Sequence, residues 1–189
     1  MTTVDTPRPT RPVEASLRSL YLARFAFAVV WALVLALTAS RLGPWAGALL
    51  LLYPLVDLVA AVVDHRASRA TRPTRALVVN MALSLLAVLA LAYAVTSGLR
   101  AVLVVWGAWA ITAGVVQLVV ALGRRTSLGG QWPMILSGGI SVLAGAAFVA
   151  QSGTSAASLT SLAGYATLGG IFFLVSALRL HRVRGNGSR

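Results

Sequence analysis

Six apolar stretches, near residues 20–39, 44–63, 76–95, 101–122, 132–151 and 160–180, divide this chain of 189 residues. A helix rises 1.5 Å per residue, so a stretch of this length covers roughly 30 Å, the thickness of a hydrocarbon core. Hydrophobic residues make up 58% of the chain, far more than one soluble domain of this size can hide. The expected fold is all-α: a polytopic membrane protein with six transmembrane helices. Residues 1–19 contain Pro7, Pro9 and Pro12 and read as a flexible tail, with an entry helix beginning near Glu14, and residues 183–189 read as a second tail. The apolar run of the first stretch is longer than the core of a typical signal peptide. Its removal would leave five spans mismatched to the basic loops, so it is read as a retained span.

The basic residues orient these spans. All sixteen are Arg, with no Lys. Arg8, Arg11 and Arg18 precede the first span, Arg66, Arg69, Arg72 and Arg75 fill the second loop, Arg124 and Arg125 the fourth, and Arg179, Arg182, Arg184 and Arg189 follow the last; only Arg41 and Arg100 fall opposite. This bias predicts cytoplasmic termini in a cell-membrane protein. The net charge of +12 could suggest nucleic acid. Because the charge sits in short segments flanking spans, it is read instead as meeting the lipid bilayer's anionic headgroups, with no nucleic-acid partner. The sequence leaves the oligomeric state open.

Chemistry is bounded by what is missing. Without Cys there is no disulfide or thiolate, and without Lys no Schiff base or Walker lysine. No metalloprotease, nucleophile-elbow or dinucleotide-binding motif occurs, so neither enzyme activity, cofactor nor metal is expected. His65 and His181 follow spans two and six, where an ordinary imidazole would titrate near neutrality, and simple solvation is the plainer reading of both.

A repeat organises the spans: Tyr53, Trp109 and Tyr165 stand 56 residues apart in spans two, four and six. Each is followed by a mostly apolar run and a basic exit, which predicts three tandem parallel hairpins around an axis near the membrane normal. The second and third copies agree best, Trp109 and Gly114 matching Tyr165 and Gly170, whereas Tyr53 is followed by Pro54 and Asp57. Small residues four apart predict close helix packing: Ser137, Ser141 and Gly145 on span five, Ala110 with Gly114 on span four, and Ala166 with Gly170 on span six. The same faces could also line a narrow pathway. Trp45, Trp132 and Trp106 are expected to anchor span ends at the interface.

The polar residues inside the spans are the candidate chemistry. Arg24 and Asp57 lie at similar depths from the cytoplasmic ends of spans one and two, and each is costly alone in hydrocarbon, so they are expected to pair. Asn80, Gln117, Ser137 and Ser176 fall at nearly the same depth, giving every helix one polar group in a single inner-leaflet layer. That layer is either a vestibule or ion site, or a set of interhelical hydrogen bonds that fix register.

Within this frame "VVWGAWAITAGVVQLVVALGRR", "QWPMILSGGISVLAGAAFV" and "LAGYATLGGIFFLVSALRLHR" resemble the short repeats of HdeD-like acid-resistance membrane proteins, over roughly residues 100–182. The resemblance implies a six-helix inner-membrane protein, linked in its best-known member to survival of acid stress, and it supplies no catalytic residues. The alternative is a small transporter or channel using the polar layer. A small multidrug exporter fits badly, because its membrane-buried Glu has no counterpart: the sole glutamate here is Glu14.

Overall fold

The computed structural model describes residues 11–68, 75–124 and 132–186, and side chains over 18–66, 75–123 and 132–179. The described residues form six α-helices: α1 Arg11–Thr38, α2 Pro44–Ser68, α3 Arg75–Ser97, α4 Leu99–Arg124, α5 Trp132–Gln151 and α6 Thr160–Asn186. All six are long and apolar enough to cross a membrane, so the chain is a multi-pass membrane protein. The six expected spans lie within these helices to a residue or two, and two helices run on into the expected tails. α1 begins at Arg11, with Pro12 in its first turn, where the missing N–H would have had no intrahelical partner anyway. α6 continues to Asn186. Arg8, Arg69, Arg72, Arg125 and Arg189 lie outside the described residues, as does the side chain of His181.

Among the described residues each helix packs on its two neighbours in the order α1, α2, α3, α4, α5, α6, and α6 closes onto α1. Packing is most extensive for α4 with α5 and α1 with α6, and least for α5 with α6. The α4–α5 seam has a local cause: Gly107 faces Gly145 and Gly114 faces Gly138 across antiparallel helices, each pair bringing backbone against backbone. A Cβ on Gly145 would lie 2.5 Å from Gly107 O, and one on Gly114 would lie 2.7 Å from Gly138 O. Without a hydrophobic driving force between helices in lipid, such close van der Waals approach is what holds them together. On the α1–α6 seam Gly170 meets Ala28 and Phe25.

Aromatic rings fill the middle of the ring of helices. Trp31 of α1 stacks on Trp106 of α4 at 5.7 Å, and Tyr53 of α2 touches Trp31, Trp106 and Trp109 at 4.7, 5.5 and 6.2 Å. Trp106 is therefore fully buried, and its expected role as an interface anchor is corrected: a ring large enough to bridge opposite helices sits at the centre. Trp45 and Trp132 are exposed near helix ends, as is Tyr93, where amphipathic rings favour the interface. The turn from α3 to α4 rests on one residue, Gly98, whose φ of 100° is open to glycine and strained for others.

Candidate functional site

Asp57 is the centre of the polar cluster. It lies on α2 one turn beyond Pro54, whose missing N–H leaves Leu50 O without its helical partner; in the same turn Leu49 O accepts the indole N–H of Trp31 at 2.7 Å. Pro54 is fully buried and Asp57 half-buried, one turn apart on α2. Arg24 of α1 donates from Nη2 to Asp57 Oδ1 and forms an ion pair with it. From α3, Asn80 Nδ2 donates to Asp57 Oδ2 at 3.0 Å and Ser84 Oγ donates to the same oxygen at 2.7 Å. Three helices are tied through one carboxylate.

The surroundings are apolar. The side chains of Arg24 and Asp57 are 17% and 13% exposed, and the guanidinium carbon lies 4.0 Å from the centre of the Phe173 ring on α6, a cation–π contact. Phe173 also stacks on Tyr21 at 6.3 Å. Arg24 therefore turns inward instead of extending along its helix to the headgroups. A cavity of about 10 Å³, the space of a single water, opens between α1, α2 and α6, lined by Arg24, Phe27, Tyr53, Val56, Asp57 and Phe173. Counted from Arg18, Arg66 and Arg75, the ends of the apolar spans, the cluster lies roughly 8–14 Å deep at 1.5 Å per residue.

Of the six residues expected in one polar layer, Arg24, Asp57 and Asn80 come together. The others do not join them. Ser176 Oγ donates to Phe172 O of its own helix, Ser137 is half-buried on α5, and Gln117 on α4 makes no hydrogen bond among the described residues. α5 packs on none of α1, α2 and α3; α4 borders α3 and α6 borders α1, but Gln117 and Ser176 make no hydrogen bond to the cluster among the described residues. Ser84 is the member that sequence reasoning missed; its signal was its place one helical turn after Asn80, on the same face of α3.

The predicted packing residues are mostly buried. Ala110, Gly114, Gly145, Ala166 and Gly170 are inside, and Ser141 accepts a hydrogen bond from Tyr165 Oη at 3.1 Å. On α5 the atoms nearest a Cβ on Gly114 come from Gly138, Ser141 and Val142, and those nearest one on Gly107 from Gly145 and Val149. Gly107 and Gly138 were missed. Their signal was a spacing of seven, Gly107 to Gly114 and Gly138 to Gly145, the repeat that keeps one face in contact along a helix pair.

Two indole nitrogens, Trp106 Nε1 and Trp109 Nε1, are buried without a hydrogen-bond acceptor among the described residues. Their rings meet edge to face at 74°, and Trp109 meets Tyr53 at 76°, so ring faces surround them. His65 Nδ1, on the last turns of α2, is likewise buried without a hydrogen-bond partner among the described residues.

Residues 78–150, from the start of α3 through α5, match the family model described as a short repeat of unknown function, DUF308. The matched segment contains both glycine heptads and Trp109, and it overlaps the HdeD-like resemblance over residues 100–150. No curated protein and no solved structure matches the chain.

Proposed function

We propose that this chain is a cell-membrane protein, termini in the cytoplasm, that supports tolerance of acid or general stress in the manner of the HdeD-like proteins it resembles, as a closed bundle and not as a pathway. One observation carries the second half of this reading: the ring of helices is plugged by Trp31, Tyr53, Trp106 and Trp109, which touch in five of their six pairs. The DUF308 match supports the kinship without supplying an activity. On this reading the Arg24–Asp57 cluster fixes the register of α1, α2 and α3. The 56-residue spacing of Tyr53, Trp109 and Tyr165 makes the bundle three tandem hairpins, and the ring order of the helices supports that arrangement. Acid-shock survival in cells lacking the chain, with and without its re-expression, tests the stress role. Survival that does not depend on the chain overturns it.

A transporter or channel is the second reading, and the cavity beside Arg24 and Asp57 is the feature that favours it. Reconstituted protein separates the two. A closed bundle gives proton and ion flux equal to that of empty liposomes, whereas flux above that level, abolished by Asp57→Asn, establishes the pathway.

A further inference from the structure

We propose that Arg24 is a binding site for a small monovalent anion of halide size, and that Asp57 occupies this site as a built-in competitor until it is protonated. The argument starts from the bonds of the guanidinium. Arg24 carries five N–H donors, and among the described residues it uses one of them, toward Asp57 Oδ1. The remaining donors have apolar neighbours: Phe173 at 4.0 Å under the guanidinium, and Phe27, Tyr53 and Val56 around the adjoining cavity. Unspent donors on a half-buried cation, open to a cavity, are matched by an acceptor, and the room for one water-sized occupant selects a small one.

The two oxygens of Asp57 are held differently, and this makes it displaceable. Oδ2 accepts from Asn80 and Ser84, both neutral, while Oδ1 meets Arg24. A proton added to Oδ1 removes the negative charge and leaves both bonds from α3 in place, so the carboxyl group stays where it is. Oδ1 then becomes an O–H donor facing the same point as the guanidinium. An anion between them replaces the lost charge and accepts from both groups. Charge balances: one proton and one monovalent anion enter, and the cluster returns to neutrality.

Few other groups act on this equilibrium. The helices packed on α2 are α1 and α3; α1 presents Arg24 to Asp57, and α3 presents the neutral Asn80 and Ser84. Among the described residues, Tyr53 on α2 and Tyr165 on α6 also lie close enough to feel Asp57. Around the end of the bundle that carries the termini, Arg18, Arg66, Arg75 and Arg179 contribute to a net charge of +12, which raises the local concentration of anions. The proposal concerns binding, and it stands or falls separately from any role in stress or flux.

The test uses full-length protein in detergent, with the thermal unfolding midpoint followed as chloride replaces gluconate at constant ionic strength. Wild-type protein is expected to gain stability from chloride at acid pH and not at neutral pH. Asp57→Asn keeps the bonds to α3 and removes the competing charge, so it is expected to respond to chloride at both pH values, with affinity at neutral pH at least about tenfold above wild type. Arg24→Gln is expected to lose the response. Equal chloride responses in wild type and Asp57→Asn at neutral pH assign any binding to the exposed arginines and overturn the proposal, as does the absence of a response in Asp57→Asn. Because Asp57→Asn alone decides between these outcomes, a failure of Arg24→Gln to fold leaves the proposal falsifiable.

Discussion

Asp57 and Arg24 show how one pair of charges organises part of a bundle that otherwise offers only apolar surface. Each charge alone in hydrocarbon costs several kcal/mol, and together with Asn80 and Ser84 they leave Asp57 fully engaged. Removing one partner strands the other. Asp57→Leu is therefore expected to destabilise the protein by about 3–5 kcal/mol, and the Arg24→Leu/Asp57→Leu double variant by less, with a coupling of about 1–3 kcal/mol. Unfolding titrations in mixed micelles measure both. If the two substitutions add, Arg24 reaches the headgroups unaided once Asp57 is gone, and the pair is not what holds α1 to α2. A second residue-scale expectation concerns Gly98, where a Cβ meets nothing within 4 Å but φ is 100°. Gly98→Ala is expected to cost about 1 kcal/mol through backbone strain alone, read by the same titration. The charged pair was legible in the sequence because charges inside apolar spans are rare and must be paired. Ser84 was not, because a serine in a span satisfies itself equally well on its own helix, as Ser176 does.

Among the elements, the α4–α5 pair is set by shape. Gly107, Gly114, Gly138 and Gly145 remove side chains along two facing stripes, and the backbones close to a distance that no Cβ permits. Gly145→Ala places its Cβ 2.5 Å from Gly107 O and 2.9 Å from Ile111 N, both backbone atoms that cannot rotate away. The helix must shift, at an expected cost of about 1–3 kcal/mol that outweighs the gain in helix propensity. Gly139→Ala, on the same helix, opens into free space and is expected to be neutral or slightly stabilising. Equal effects of the two substitutions on the unfolding midpoint would remove close backbone approach as the cause. The sequence marked the right helices for this packing through four-residue spacing, which found Gly114, Ser141 and Gly145. It missed Gly107 and Gly138, because a long antiparallel contact follows a seven-residue stripe that four-residue spacing samples only in part. Trp106 was misread for a related reason. Seven residues from the start of α4, it looks interfacial by depth, and only the arrangement of all six helices turns it into the core.

At the scale of the whole molecule, the number of helices and their limits were the most legible features, because each apolar stretch must be long enough to cross the bilayer and each polar break must leave it. Ring closure of α6 onto α1 could not be read the same way: it depends on which small faces find each other, and Gly170 against Ala28 is a match between residues far apart in the chain. Orientation in the membrane follows from charge. With an even number of spans, both ends of the chain and the α2–α3 and α4–α5 connections share one side, and fourteen of the sixteen arginines lie on or toward that side. Moving these arginines across the bilayer is opposed at every connection, so cytoplasmic termini are expected. The chain contains no cysteine, so single introduced thiols report without background. Ser40→Cys and Thr154→Cys, both exposed at the end that carries only Arg41 and Arg100, are expected to react with an impermeant reagent added to intact cells. Ser68→Cys and Asn186→Cys, at the opposite ends of α2 and α6, are expected to react only after the membrane is opened. Reversal of this pattern would place the arginines outside and expose the Arg24 cavity to the extracellular half of the bilayer. Labelling of Ser68→Cys and Asn186→Cys from opposite sides would break the six-span arrangement itself, because α2 and α6 can end on different faces only if one helix between them fails to cross.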